Sequence, residues 1–317
     1  MMATDLDAHI DDYLALRRGL GFRLETAGSV LAAFARYAEQ VGHRGPVTVE
    51  LAVDWAQTTR SHDPAAAARR LAVVRQFARQ RAAIDPATEI PPDGLLGGVA
   101  RRRPQPHIYS DAEIATLLTQ LRGLTPCGGL RPATYVTMFS LLVSTGLRLS
   151  EACHLHRDDV DLDAGVLTVR ETKFCKSRLV PLHPTSTRAL GNYATDRDSR
   201  HDVATSPMLF RTERSAHLKT DTVGRTFRRL RDRLGWSGQG RTHRPRIHDL
   251  RHTFAVRRLL SWTAAGVDVE SKILALSTYL GHTKPSHTYW YLTATPELMA
   301  VTAGRFEHFV EPQEDGA

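Results

Sequence analysis

The spacing of apolar residues is the feature that most constrains the fold, because over most of the chain it follows the period of an α-helix. Before residue 100 it predicts four helices, over Asp5–Arg18, Leu24–Val41, Val49–Thr58 and from Asp63-Pro64 to about Ala83. Two segments with a strand-like sequence pattern, Gly165–Glu171 and Arg178–Leu182, predict a small antiparallel hairpin. We therefore expect a mainly α fold with a small antiparallel β hairpin or sheet.

A basic, proline-containing run, Arg101–His107, divides the chain. The 317 residues suit two domains of about 150 residues each. We predict a helical domain over 1–100, a linker over 101–108, a mixed α+β domain over 109–311 and a disordered tail over 312–317. The second domain is predicted to begin at a capping box, Ser110 to Glu113, and to contain helices at 111–122, 132–145, 184–196, 220–234, 248–262, 269–279 and 296–309.

Positive charge is concentrated in one part of the chain. The net charge is +8, yet residues 1–100 carry 11 basic and 12 acidic side chains, whereas residues 205–258 carry 14 and 4. A local basic excess indicates an anionic partner, with nucleic acid first, and a merely well-solvated surface is the alternative. In the first domain we expect arginines on the outer face of the fourth helix, at Arg69, Arg70, Arg75, Arg79 and Arg81.

Several classes of protein are excluded by what the sequence lacks. No apolar run approaches the ~18 residues of a membrane span, and the N-terminus does not resemble a signal peptide, so we expect a cytoplasmic protein. Three widely spaced cysteines suggest neither a disulfide framework nor a zinc knuckle. The 15 histidines form no HExxH motif, so neither a metal nor a cofactor is predicted.

The block STGLRLSE, residues 144–151, carries the first candidate for chemistry. Thr145-Gly146 can end one helix and Arg148 can begin the next. Arg148 and Glu151 are three residues apart and share a helix face, so the carboxylate can orient the guanidinium. A surface ion pair is the commoner arrangement for such a pair.

The block HDLRHTF, residues 248–254, places His248, Arg251 and His252 on one helix face. Three potential cations side by side favour an anion opposite them. A solvated basic face is the alternative, but the neighbouring Leu250 and Phe254 indicate a packed helix and favour a buried anion pocket.

Two further blocks contain a potential nucleophile and a potential acid. Tyr291 follows the tripeptide ending at His282 by nine residues, and a tyrosine is either a core residue or a covalent nucleophile. Lys173 and Lys176 lie in the hairpin, where a lysine is either solvated or able to protonate a leaving oxygen.

The order of these blocks, arginine, hairpin lysine, HxLR, GH and tyrosine, resembles the tyrosine recombinase (phage integrase) family over essentially the whole chain. The resemblance implies a helical core-binding (SAM-like) first domain and an α+β catalytic second domain. It implies that Arg148 and Arg251 clamp the scissile phosphate, that His248 and His282 add hydrogen bonds, and that Glu151 supports them.

The same resemblance implies that Tyr291 is the nucleophile and Lys173 the general acid. Tyr289 is the alternative nucleophile, and Lys176 is the alternative general acid. DNA-backbone contacts are expected from Arg101, Arg102, Arg103, Lys176, Arg178, Arg244 and Arg246. Two features depart from the common pattern: Thr172 and Phe174 flank Lys173 where glycines are usual, and extra length around Ser261–Val269 resembles members from mobile elements.

The implied function is site-specific recombination through a 3′-phosphotyrosyl intermediate, in integration or transposition of a mobile element. The implied partners are double-stranded DNA, further copies of the chain in a tetramer, and other recombinases of the same element, with location at the nucleoid. The alternatives are a type IB topoisomerase, a non-catalytic accessory protein of the same fold and a general helical DNA-binding regulator.

Overall fold

A computed structural model of the chain describes residues 5–22, 24–59, 65–97, 105–170, 177–200, 206–214, 217–238, 244–282, 286 and 288–289. The chain divides into two compact units, Met1–Arg103 and Pro104–Ala317. The division falls within the basic, proline-containing run.

The first unit is built from four helices in its described part: α1 (Asp5–Gly19), α2 (Glu25–Gln40), α3 (Val49–Gln57) and α4 (Ala66–Arg81). The Thr48 hydroxyl caps α3 by accepting from the Leu51 N–H at 3.2 Å. The predicted start of α4 at Asp63-Pro64 lies outside the described residues.

The core of the first unit forms where the apolar stripes of these helices meet. Leu31, Phe34 and Ala38 of α2 are buried at the i, i+3, i+7 spacing of one helix face. The Phe34 ring meets that of Trp55 edge-on, with centroids 5.3 Å apart, and Phe77 of α4 joins the same cluster. Burying one such side chain contributes roughly 1.5–3 kcal/mol.

The prediction that the arginines of α4 lie on its outer face is wrong for Arg75, which is only 9% exposed. Its guanidinium donates to the carbonyl oxygens of Pro91 at 2.7 Å and Pro92 at 2.8 Å, and pairs with Asp93 at 2.6 Å. Arg75 therefore satisfies buried carbonyls of the segment that follows α4. Neighbouring Arg70 likewise stacks over the Trp55 ring, 4.0 Å from its centroid.

The second unit is built mainly from helices, with three strands, in its described part. The helices are α5 (Asp111–Arg122), α6 (Leu130–Thr145), α7 (Leu149–Cys153), α8 (Pro184–Arg200), α9 (Thr220–Arg233), α10 (Ile247–Ala264) and α11 (Val269–Leu280). The predicted capping box of α5 is confirmed by reciprocal bonds between Ser110 and Glu113 of 2.8 and 3.1 Å. The expected helix at 296–309 and the tail lie outside the described residues.

The strands β1 (Val160–Asp161), β2 (Val166–Val169) and β3 (Arg178–Pro181) form an antiparallel sheet in the order β1-β2-β3. The predicted hairpin is the β2–β3 pair, in which Val169 lies opposite Arg178. The sequence did not predict β1, because a two-residue strand has no readable periodicity and forms only by pairing with β2. The mainly α fold with a small antiparallel sheet is thus confirmed.

Helix α6 runs through the centre of the second unit. Tyr135, Met138, Phe139 and Leu142 are all buried, and the Phe139 ring stacks on Phe227 of α9 at 6.1 Å. Dense packing holds α6 rigidly, so its C-terminal end is a firm support for the residues that follow. None of the helices in the described ranges combines the length and apolarity needed to cross a membrane.

Candidate active site

The turn between α6 and α7 presents the first arginine. Gly146 ends α6 in the left-handed region, at φ 64°, and its N–H donates to the Leu142 carbonyl. A Cβ at this position would lie 2.7 Å from the Phe254 ring, so both the backbone conformation and the space require glycine. The predicted break at Thr145-Gly146 is confirmed, and it places Arg148 immediately before α7.

Arg148 and Glu151 form a partly buried pair. The Arg148 Nη1 donates to Glu151 Oε1 at 2.7 Å, and the Arg148 backbone N–H donates to Oε2 at 2.9 Å. The Glu151 side chain is 6% exposed. The alternative of an ordinary surface ion pair is therefore wrong, and the carboxylate fixes the orientation of the guanidinium.

Arg251 is buried on α10, at 2% exposure. Its Nη1 donates to the Gly146 carbonyl at 2.8 Å, and its Nη2 donates to the Leu280 carbonyl at 2.6 Å. One guanidinium thus joins the end of α6 to the end of α11, which brings the two predicted phosphate-binding arginines into one neighbourhood.

Three arginines converge on the last carbonyls of α11. Arg178 donates to the Tyr279 carbonyl at 2.8 Å, Arg251 to that of Leu280, and Arg148 to that of Gly281 at 2.9 Å. The final carbonyls of a helix have no partner within the helix and carry partial negative charge. They therefore gather cations from distant parts of the chain just before His282.

Arg178 departs from its predicted contact with the DNA backbone. Its guanidinium binds both oxygens of Glu151, at 3.0 and 2.8 Å, and its side chain is 11% exposed. It packs over Gly281, where a Cβ would lie 2.9 Å from its Nη1. The structure commits this guanidinium to the protein interior, because an almost fully buried carboxylate needs hydrogen-bond donors for both of its oxygens.

The Glu151 carboxylate is held ionised by its partners. Burial raises its pKa, but the hydrogen bonds and charge of Arg178, followed by those of Arg148, outweigh burial and lower the pKa to about 2. The carboxylate is therefore a permanent negative charge between two guanidiniums at any physiological pH.

His248 begins the face of α10 that carries Arg251. Its ring meets that of His252 edge-on, with centroids 4.8 Å apart. Although part of the residue is exposed, desolvation by the surrounding protein and then the charges of Arg251, Arg246 and Arg148 lower the pKa of His248 to about 4. The imidazole is therefore neutral at pH 7, so one ring nitrogen donates and the other accepts.

We expect the His248 ring to titrate near pH 4 in a proton NMR titration of the folded protein. The pKa lies below the ordinary value of about 6.5, so the stability that the neutral ring contributes is complete above about 6.5. That contribution is lost as the pH falls towards 4. Arg246→Gln should move the midpoint upward, because it removes one of the cations, and a midpoint at or above 6.5 in the unsubstituted chain would contradict this electrostatic account.

His282 lies directly after the arginine-bound carbonyls. Its backbone N–H donates to the Ser277 carbonyl at 2.9 Å, and its Nδ1 is 2.8 Å from the Thr288 hydroxyl, which is fully buried. No motif in the sequence singles out Thr288, which orients the imidazole. Tyr289, the rival nucleophile, is 46% exposed.

The remaining predicted residues are not all described. Arg244 is exposed, and Arg246 immediately precedes α10 with its guanidinium on Asp249 at 3.1 Å and half exposed. Both lie where a partner can reach them. The predicted nucleophile Tyr291 lies outside the described residues. So do five other predicted positions: Arg101, Arg102, Arg103, Lys173 and Lys176.

The described cluster is rich in cations, which suits an anionic ligand. Three guanidiniums meet at the end of α11, and the Glu151 carboxylate lies between two of them. Among the residues that the structure describes, no group of three histidine, cysteine or acidic side chains is placed to hold a metal ion. Burial raises the pKa of the Cys153 thiol to about 12, so this cysteine is unreactive.

Comparisons with known proteins agree with this geometry. A model of the phage integrase family matches residues 112–297. A putative integrase/recombinase y4rB of Sinorhizobium fredii is 43% identical over 303 residues, covering 94% of this chain and 96% of the relative. Tyrosine recombinase XerD of Bradyrhizobium diazoefficiens is 30% identical and covers 91% of each chain.

Solved structures show the same fold. The Tn1549 transposon integrase in complex with transposon right-end DNA has a TM-score of 0.64 at 18% identity, covering 94% of this chain and 99% of that one. A lambda integrase dimer bound to a COC′ core site has a TM-score of 0.59 at 17% identity, covering 90% of this chain and 76% of that one.

Proposed function

Because the chain belongs to the phage integrase family of tyrosine recombinases, we propose that it cuts and rejoins double-stranded DNA at specific sites through a 3′-phosphotyrosyl intermediate. The observation that carries the proposal is the convergence of Arg148 and Arg251 at the C-terminal end of α11, near the His248 ring, whose pKa their charges lower. A phosphodiester is anionic and resists attack, and preorganised cations stabilise the further charge that develops in the transition state.

In the cleavage step, the Tyr291 oxygen attacks the scissile phosphorus in line. Tyr291 gives up its phenolic proton to solvent as a phosphorus–oxygen bond to tyrosine forms, the bond to the 5′ oxygen breaks, and Lys173 donates a proton to that leaving oxygen. Arg148 and Arg251 bind the non-bridging oxygens, while the neutral His248 ring and the His282 ring add hydrogen bonds. Lys176 remains the alternative general acid for this step.

In the joining step, a 5′ hydroxyl of the partner strand attacks the phosphotyrosine. The phosphodiester re-forms, Lys173 takes back the proton of the attacking 5′ hydroxyl, and the tyrosine oxygen leaves and regains a proton from solvent. The phosphotyrosyl bond retains the energy of the cleaved bond, so rejoining needs no nucleotide cofactor.

We place this activity in the integration or transposition of a mobile element. In support, the relative y4rB is named an integrase/recombinase, and a structural neighbour is a transposon integrase. Neighbours of the same fold are described as dimers and tetramers on DNA, which supports a tetramer of this chain on two duplexes. Other recombinases of the same element are further candidate partners, and the nucleoid in the cytoplasm is the proposed place of action.

The first unit is proposed to be a core-binding domain that contacts DNA. Its composition is near neutral and Arg75 is buried, so contact with the DNA backbone depends on where its other arginines lie and not on bulk charge. The binding energy then comes mainly from the basic second unit, and affinity falls steeply with salt.

The proposal is tested with nicked suicide duplexes built from the DNA that flanks the gene at the ends of its element. We expect a covalent protein–DNA adduct with these duplexes and none with scrambled duplexes of equal length. Plasmid relaxation without recombinant product would instead favour a type IB topoisomerase. Retarded DNA without any adduct would favour a non-catalytic binding protein.

A further inference from the structure

We propose that Arg178 is a positioning residue that acts through Glu151 and keeps the positive charge of Arg148 available to the scissile phosphate. It would not be a contact to the DNA backbone. The inference rests on the proposed function, since it assigns a role in the same phosphate-binding site.

The geometry shows Glu151 shared between two arginines. Its Oε1 accepts from Arg148 at 2.7 Å and from Arg178 at 3.0 Å, while its Oε2 accepts from the Arg148 backbone at 2.9 Å and from Arg178 at 2.8 Å. The carboxylate oxygens are thus held from two sides, and Arg148 cannot turn without breaking this arrangement.

The third bond of Arg178 fixes the cluster to the end of α11. Its Nε donates to the Tyr279 carbonyl, next to the carbonyls that hold Arg251 and Arg148. Arg178 also lies opposite Val169 at the end of the β2–β3 ladder. The residue therefore joins three elements, β3, α7 and α11, at one guanidinium.

The charges explain why a second arginine is needed. A lone Arg148–Glu151 pair is neutral and would attract a phosphate weakly. With Arg178 present, the three arginines and one carboxylate leave two net positive charges. A phosphodiester under attack by a phenolate approaches two negative charges, so this balance favours the transition state over the singly charged ground state.

Its position separates Arg178 from residues that track a DNA backbone. All three guanidinium nitrogens of Arg178 donate to the protein, to the Tyr279 carbonyl and to both oxygens of Glu151, whereas the side chain of Arg246 is 51% exposed. Removing a backbone contact weakens binding and lowers the salt slope by about 0.9 per phosphate, whereas removing a charge-compensating residue slows the chemistry without changing that slope.

The test compares Arg178→Gln with the double variant Arg178→Gln/Glu151→Gln in the full chain. We expect Arg178→Gln to slow single-turnover cleavage about 100-fold, with an unchanged salt slope of DNA binding. The double variant removes one positive and one negative charge together, so the net charge of two is restored. We therefore expect the double variant to cleave at least about ten-fold faster than Arg178→Gln.

Arg157→Gln is the matched control, because Arg157 forms a half-buried ion pair with Asp198 at 3.2 Å in the same unit. It should leave the cleavage rate unchanged, and thermal unfolding of every variant identifies any loss of fold. A double variant no faster than Arg178→Gln would overturn the proposal, as would a reduced salt slope for Arg178→Gln. These outcomes require a wild-type chain that cleaves, and its failure to cleave would reject the proposed function instead.

Discussion

Tyr291→Phe is expected to abolish the covalent DNA adduct while DNA binding persists. The phenolic oxygen is the atom proposed to attack phosphorus, and phenylalanine retains the ring but has no nucleophile. Removing a covalent nucleophile lowers turnover on the order of 10⁶-fold, which puts adduct below detection on suicide substrates. The measurement is denaturing gel analysis of labelled duplex beside a native mobility-shift titration.

Tyr289→Phe is the matched control for this prediction. Tyr289 is two residues away and 46% exposed, and it is adjacent to Thr288, whose hydroxyl orients His282. We expect Tyr289→Phe to retain adduct formation. Adduct from Tyr291→Phe together with none from Tyr289→Phe would transfer the nucleophile to Tyr289.

Arg251→Lys is expected to slow cleavage by about 10²- to 10³-fold, even though the positive charge is kept. The two terminal nitrogens of Arg251 reach carbonyls on two different elements, at Gly146 and Leu280. A lysine ammonium is a single point charge and cannot span both sites with the planar geometry of a guanidinium. One buried carbonyl is left without its donor, which also lowers the free energy of unfolding by about 1–3 kcal/mol.

The measurement is single-turnover cleavage combined with thermal unfolding and DNA affinity. Arg258→Lys on the same helix is the control, because Arg258 is exposed and stacks loosely over Phe254, 5.8 Å from the ring centroid. It should change neither rate nor stability appreciably. An Arg251→Lys variant that cleaves at the wild-type rate would reject the two-carbonyl clamp as a catalytic requirement.

Much of the fold could be predicted from local sequence signals. The α6 break at Gly146, the capping box at Ser110 and the β2–β3 hairpin were all predicted, and each is present. These features depend on residue types at fixed short spacings, such as a glycine for a left-handed turn. The family resemblance, carried by the order of short motifs, is confirmed as well.

The sequence does not predict contacts in which a side chain binds a group that is distant along the chain. Arg75 has the helical position of a surface residue, yet the segment that follows α4 brings Pro91 and Pro92 to it. The family resemblance predicts that Arg178 contacts DNA. The structure instead places its guanidinium on Glu151, 27 residues away in sequence, and on the Tyr279 carbonyl, 101 residues away. No local pattern links these partners to Arg75 or to Arg178.

The sequence by itself determined which residue types are present for phosphate chemistry, because arginine, histidine and tyrosine are recognisable by side chain and spacing. Only the tertiary structure decided which arginines meet and what holds them. Their anchors are the carbonyls of Gly146, Tyr279, Leu280 and Gly281. Every residue has a carbonyl, so the ones that become binding sites are selected by where helices end in space, and no side-chain pattern records that.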